Sequence, residues 1–225
     1  NKEFELAINK AKKNTRHLSI LAAKFMKTKH YQFALETYML AQKESNKPSY
    51  NIQIANIYSA LGEIQKMYEE IIKLLYIYPN YFQTCKNKLR ITISENSENE
   101  NNQKLKKLLI KNIQKNNSYE VSKLLVWLFM QEKEFQKALE YEIAIDKRIS
   151  ENQLEIINLG DIALKNKDYT TSKNAFQYII DESHQNSYYY EYASIEILNI
   201  EFEILLNDKI KGKKEIENLS KTYLS

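Results

Sequence analysis

The stretch from Leu18 to Ala41, LSILAAKFMKTKHYQFALETYMLA, predicts two amphipathic helices joined by a polar turn at Lys27 to His30. Apolar and small residues recur at helical spacing on one face of each helix: Leu18, Leu21, Ala22 and Phe25 in the first, and Ala34, Tyr38 and Ala41 in the second. The small residues allow the two helices to approach closely. An antiparallel pair of this kind cannot bury its apolar face alone, so it must stack on similar pairs.

Similar pairs follow along the chain at intervals of about 34 residues. We therefore predict an all-α solenoid of stacked antiparallel helix pairs, forming a single domain over residues 1–225. The expected repeats are 15–47, 48–81, 82–117, 118–150, 151–186 and 187–225, with residues 1–14 as the end of a truncated preceding repeat. In the last of these, one long helix from Ser187 to Asn207 is expected to join a second helix near Lys209.

The middle of the chain is less regular. The segment from Ser94 to Gln103 is rich in Asn and Glu and has no apolar anchor, which predicts an exposed loop before a helix from Leu105 to Gln114. Such a loop could be an insertion that binds a partner. A solvated, mobile linker is the interpretation that its composition favours.

Composition excludes several classes of protein. Three Gly and two Pro are too few for a β-sandwich, the single Cys85 excludes an intrachain disulfide, and no apolar run is long enough to span a membrane. The net charge of +4 is spread over mixed charges, and arginine occurs only at Arg16, Arg90 and Arg148, which argues against nucleic acid as a partner.

The sequence begins NKEFELAINK, without an initiator Met or the apolar core of a signal peptide. We expect a fragment or mature form that is part of a larger chain or complex. A bacterial cell envelope or periplasm is the expected location if a targeting segment has been removed, and the cytoplasm is the alternative.

The spacing of these residues resembles the tetratricopeptide repeat (TPR) family. Its pattern of large, small and aromatic positions is filled in four repeats, by Leu18, Leu21, Ala22, Phe25, Ala34, Tyr38 and Ala41, then by Ile54, Ala55, Tyr58, Gly62 and Pro79, then by Leu125, Phe129 and Ala138, and last by Leu159, Gly160 and Phe176. Met67 and Ser172 replace an expected Ala, Tyr141 and Ala144 lie one residue early, and the third and last repeats match only in length and amphipathicity.

The resemblance implies a right-handed superhelix whose first helices line a concave groove that binds peptides or helices of other proteins. A Lys and Asn clamp for a C-terminal carboxylate is not supported, because Ser19 and Ala23 occupy two of its positions. The resemblance places the following partner-binding residues in the groove: Ile52, Asn56, Lys123, Trp127, Met130, Leu154, Ile157, Asp161 and Lys165.

Trp127 is the expected anchor, because an exposed Trp beside Met130 suits a protein-binding hot spot. The competing interpretation is that Leu124 to Met130 is apolar all round and therefore buried. A secondary surface is expected at Tyr188, Tyr189 and Glu191 in a tyrosine cluster. That cluster could serve as an interface, as a stacking platform for single-stranded RNA, or as an ordinary aromatic seam, which is the favoured interpretation.

No residue pattern indicates catalysis, a cofactor or a metal. His17, His30 and His184 are far apart in the sequence, and none belongs to an i, i+4 metal-binding pair. We therefore predict a non-catalytic scaffold that binds another protein or peptide. The alternatives are a self-associating structural subunit, using Glu3 to Lys13 or Tyr188 to Ser225, and, less favoured, an RNA-binding helical repeat.

Overall fold

The computed structural model describes residues 2–12, 14–45, 50–149 and 153–207. Within these ranges the regular structure is entirely helical, with twelve α-helices and one short 3-10 helix. Consecutive helices pack as antiparallel pairs, which confirms the predicted all-α class. The hand of the superhelix and the extent of a single domain stay predictions.

The chain divides into two compact modules, residues 1–125 and 126–225, and the division falls within one helix. The helices of the first module, in chain order, are α1 (Lys2–Ala11), α2 (Thr15–Lys27), α3 (Tyr31–Ser45), α4 (Asn51–Ala60), α5 (Ile64–Ile77), the 3-10 turn Pro79–Tyr81, α6 (Phe82–Arg90), α7 (Glu100–Asn116) and the start of α8 (Tyr119–Gln131). The second module continues with α9 (Phe135–Ile149), α10 (Gln153–Lys165), α11 (Tyr169–Glu182) and α12 (Tyr188–Asn207).

The turn between the two helices of a pair has the same backbone geometry in four repeats. A residue with positive φ follows the first helix each time, at Lys29 (61°), Gly62 (76°), Lys133 (58°) and Lys167 (63°). These positions are about 34 residues apart within each module, as the sequence pattern predicts. Only one of them is glycine, although the left-handed region favours glycine.

The residue after each positive-φ position closes the turn. His30, Glu63, Glu134 and Asp168 each donate the backbone N–H to a carbonyl five residues back, all at 2.9 Å. The same four residues accept a hydrogen bond from the backbone N–H four residues ahead, in the first turn of the second helix. Each turn therefore ends one helix and begins the next, which makes the repeat visible in the backbone itself.

We expect substitutions at this turn to change stability through φ alone. Gly62→Ala should lower the free energy of unfolding by about 1 kcal/mol, because a Cβ there meets no atom within 4 Å and only the left-handed backbone is penalised. Lys167→Gly should leave stability unchanged or raise it slightly, because it relieves the same penalty. Urea denaturation followed by circular dichroism measures both changes, and equal losses for the two variants would contradict this explanation.

The small residues of the repeats lie where helices meet. Ala22, Ala34 and Ala41 are fully buried in the first pair, α2 and α3. In the pair α10 and α11, a Cβ added at Gly160 would lie 3.0 Å from the Phe176 ring and 3.2 Å from the Ala175 Cβ. The crossing of these two helices therefore leaves little room for a Cβ at this position.

The predicted loop from Ser94 to Gln103 is shorter than expected, and side-chain hydrogen bonds hold its residues. Helix α7 begins at Glu100, with Asn99 accepting hydrogen bonds from the N–H groups of Asn101 and Asn102. Asn102 is fully buried and holds the preceding loop: its amide donates to the carbonyls of Ser94 (2.8 Å) and Asn96 (3.3 Å) and accepts from the Ser94 N–H (3.0 Å). The asparagines that suggested disorder serve as caps and loop anchors.

Several expectations lie outside the described residues. They are the boundary between the first two repeats at Lys47 and Pro48, the boundary at 150–152, and the second helix of the last repeat after Asn207.

Candidate functional site

The two groove residues predicted on α4 are only partly accessible. Ile52 and Asn56 are half-buried, and Asn56 lines, with Lys88 and Ile91, a gap of only about 10 Å³. A gap of that size holds at most one water molecule. Lys123, on α8, is also half-buried.

Trp127 is buried rather than exposed, with only 6% of its surface accessible. From Leu124 to Met130 its helix α8 is apolar on every side, and eight of the nine positions from Val121 to Phe129 are buried, the exception being Lys123. A helix of this composition is covered all round. The expectation that Trp127 faces a groove is therefore wrong, and only its neighbour Met130 is half-buried.

The predicted groove residues on α10 differ from one another in environment. Leu154 is 53% exposed and Lys165 is exposed, whereas Ile157 is only 5% exposed and belongs to the core, which corrects its assignment to an open surface. Asp161 already has an intramolecular partner, since the Tyr192 hydroxyl donates to its carboxylate at 2.9 Å. These four side chains do not form one open surface.

Tyr192 belongs to an aromatic seam on the first turn of α12. Its ring stacks on Tyr188 (centroids 6.2 Å apart) and contacts Phe176 edge-on (6.1 Å), and Tyr188 contacts Tyr189 (5.8 Å). Burial first, and then the hydrogen bond to Asp161, raise the pKa of Tyr192. Tyr188 and Glu191 are exposed and Tyr189 is half-buried, so part of the predicted secondary surface is accessible.

A second tyrosine–aspartate pair joins α11 to α9. The Tyr178 hydroxyl donates to the buried carboxylate of Asp146 at 2.9 Å, and its pKa is raised by burial and by this bond. The Tyr178–Asp146 pair links the second helices of two successive repeats. The Tyr192–Asp161 pair links the first helices of two successive repeats. They are structural contacts of the second module rather than groups available to a partner.

A cleft of about 430 Å³ lies between α5 and α7 in the first module. Its floor is apolar and its edges are charged. The lining side chains are Glu69, Ile72, Lys73 and Tyr76 on α5, and Leu108, Lys111, Asn112 and Lys115 on α7. The repeat pattern does not predict this cleft, because α5 and α7 are the second helices of two repeats and the pattern of the later repeat is degraded.

The walls of the cleft are fixed by the core beneath them. Ile72 on α5 and Leu105 and Leu109 on α7 are buried, which holds the two helices against the module. The Tyr76 hydroxyl donates to the Asn112 carbonyl across the cleft, at 3.3 Å. The cleft is therefore a preformed space with apolar lining, which is the usual character of a binding site in proteins.

Three lysines and one glutamate line the cleft, so its potential is positive. Lys73 is paired on its own helix, with Nζ 2.6 Å from the Glu70 carboxylate, which also accepts from the Asn51 amide at 2.7 Å. Lys111 and Lys115 lie one turn apart on α7, are exposed, and form no ion pair with any residue that the structure describes. These two ammonium groups are available to an external anion.

The lining of the cleft has no Cys, His, Ser or Thr. The thiol of Cys85 lies elsewhere, on α6, where it is buried, and burial raises its pKa to about 12. Among the described residues, no group of three or more His, Cys, Asp or Glu side chains could hold a metal ion, and no helix is long and apolar enough to cross a membrane.

Comparisons with known proteins yield distant structural similarity only. No family model matches the chain, and no curated protein matches it. Two similar solved structures are a tetratricopeptide repeat protein from Parabacteroides merdae (13% identity, 100% of this chain and 91% of that chain covered, TM-score 0.38) and YrrB, described as a TPR protein with an unusual peptide-binding site (15% identity, 85% and 97% covered, TM-score 0.38). At these TM-scores neither structure supports an inference about what this chain binds.

Proposed function

We propose that this chain is a non-catalytic scaffold that binds a segment of another protein in the cleft between α5 and α7. The observation that carries the proposal is the cleft itself, a preformed space of about 430 Å³ with an apolar floor and polar edges. Sites of this kind bind by shape complementarity around a few apolar anchors, with polar groups fixing orientation.

The lining residues support binding rather than catalysis. Ile72, Tyr76 and Leu108 supply apolar contact area, while Lys73, Lys111 and Lys115 supply positive charge, and the lining has no Cys, His, Ser or Thr. The array of helix pairs adds a rigid frame, since the turns and the core fix α5 and α7 before any partner arrives.

The proposal predicts that filling the cleft abolishes binding. For peptides selected from a random library, Leu108→Trp should weaken the affinity by about tenfold or more. The indole would occupy the floor of the cleft that an apolar side chain of the peptide would use. Leu108→Met is the matched control, since it keeps the side-chain volume and should retain affinity. Fluorescence anisotropy with labelled peptides measures both variants.

The control for folding is urea denaturation, since Leu108 is only half-buried and both variants should unfold close to the parent. If no peptide is selected, or if the selected peptides bind the Leu108→Trp variant as tightly as the parent, the proposed site is wrong.

A further inference from the structure

We infer that the segment bound in this cleft is acidic, with two carboxylates next to an apolar residue; this rests on the proposed function. The inference assigns a partner chemistry to a surface formed by the second helices of two repeats, away from the first-helix residues that the sequence pattern favours.

The charges of the cleft lining favour an acidic partner. Of the four charged residues that line the cleft, only Glu69 is acidic. Its carboxylate accepts a hydrogen bond from Gln65 on the same helix at 3.3 Å, and Lys73 is held by Glu70. The positive charge at the other wall, from Lys111 and Lys115, has no counter-charge in the described structure. A partner carboxylate would supply it, whereas a basic segment would be repelled.

Spacing is the second argument. Lys111 and Lys115 are four residues apart on α7, so their Cα atoms are about 6 Å apart along the helix axis. Carboxylates at positions i and i+4 of a partner helix, or i and i+2 of an extended segment, have nearly the same separation. Leu108 begins the same face of α7, where an apolar side chain of the partner would contact it and Ile72 on the opposite wall.

The same lining argues against single-stranded nucleic acid. Such sites stack bases on successive aromatic rings and use Arg for phosphate contacts. This cleft has one aromatic residue, Tyr76, whose hydroxyl is already bonded to the Asn112 carbonyl, and no Arg. The aliphatic floor and the lysines at the edges fit an acidic peptide better than a single-stranded nucleic acid.

The test compares three labelled probes by fluorescence anisotropy: a peptide of glutamates flanking two leucines, the same peptide with every Glu replaced by Gln, and oligouridylate of equal length. The glutamate peptide should bind at least about tenfold more tightly than the glutamine peptide, and its affinity should fall as salt rises. Lys111→Glu with Lys115→Glu should lose about tenfold or more for the glutamate peptide.

The matched control is Lys24→Glu with Lys27→Glu, which makes the same change in net charge on α2 of the same module and should leave the affinity within about twofold. Equal binding of the glutamate and glutamine peptides would overturn the inference, and so would tighter binding of oligouridylate. If the glutamate and glutamine peptides bind equally tightly and Leu108→Trp weakens both, the cleft still binds segments and only their acidity is wrong. If Leu108→Trp changes neither, the proposed function itself fails.

Discussion

Replacing Trp127 with alanine should lower the free energy of unfolding by about 3–5 kcal/mol, an effect on folding rather than on partner affinity. The indole is 6% exposed on a helix whose neighbouring apolar residues are all buried, so its removal leaves a cavity that the rigid surroundings fill only in part. Urea denaturation, followed by circular dichroism at the helical signal, measures the loss.

Leu154→Ala is the control for this substitution. Leu154 was predicted for the same groove but is 53% exposed, so its truncation should change stability by no more than about 0.5 kcal/mol. A Trp127→Ala variant that unfolds like the parent and yet loses a partner would show that the tryptophan is a binding residue after all.

The second large effect is expected at Asn102. Asn102→Ala should destabilise the protein by about 3 kcal/mol, because the carbonyls of Ser94 and Asn96 and the N–H of Ser94 lose a buried partner together. The loop before α7 should then open, which amide hydrogen exchange at residues 91–99 would detect as faster exchange.

Asn116→Ala on the same helix is the matched control, since Asn116 is exposed near the end of α7 and its loss should cost little. Equal destabilisation by the two substitutions would contradict this explanation, because Ala has a higher helix propensity than Asn at both positions and only the buried amide distinguishes them.

The helices could be predicted from the sequence because each repeat has one apolar face. Leu18, Leu21, Ala22 and Phe25 recur at helical spacing, and α2 lies where they place it. The turns could be predicted in position but not in geometry. A left-handed residue is expected at glycine, as at Gly62, and Lys29, Lys133 and Lys167 give no such signal.

The exposure of single side chains was harder to predict. The repeat register placed Trp127 on the open side of α8, but a helix that is apolar on every side has no open side, so the pattern contains no information about which residue is accessible. Ile157 was misassigned for a related reason, since the groove positions were taken from a family pattern that does not record burial in this chain.

The cleft and the loop anchor could not be predicted because both depend on contacts between distant residues. Asn102 lies in a segment whose composition is typical of a linker, and only its hydrogen bonds to Ser94 and Asn96 show that it is structural. The cleft lies between α5 and α7, which are separated in the sequence by the irregular α6. The repeat pattern therefore did not show that the lysines of these two helices line one cleft.

The rate at which the buried thiol of Cys85 is chemically modified measures how often the first module opens locally. Since the cysteine is the only one in the chain and its pKa is raised to about 12, a thiol reagent meets almost no thiolate while α6 is packed. Reaction then requires α6 to detach, and the rate of modification gives the frequency of that event without any engineered label. A bound partner that stabilises the adjoining helices would lower the rate at which Cys85 is modified. That rate therefore measures whether a partner is bound to the first module.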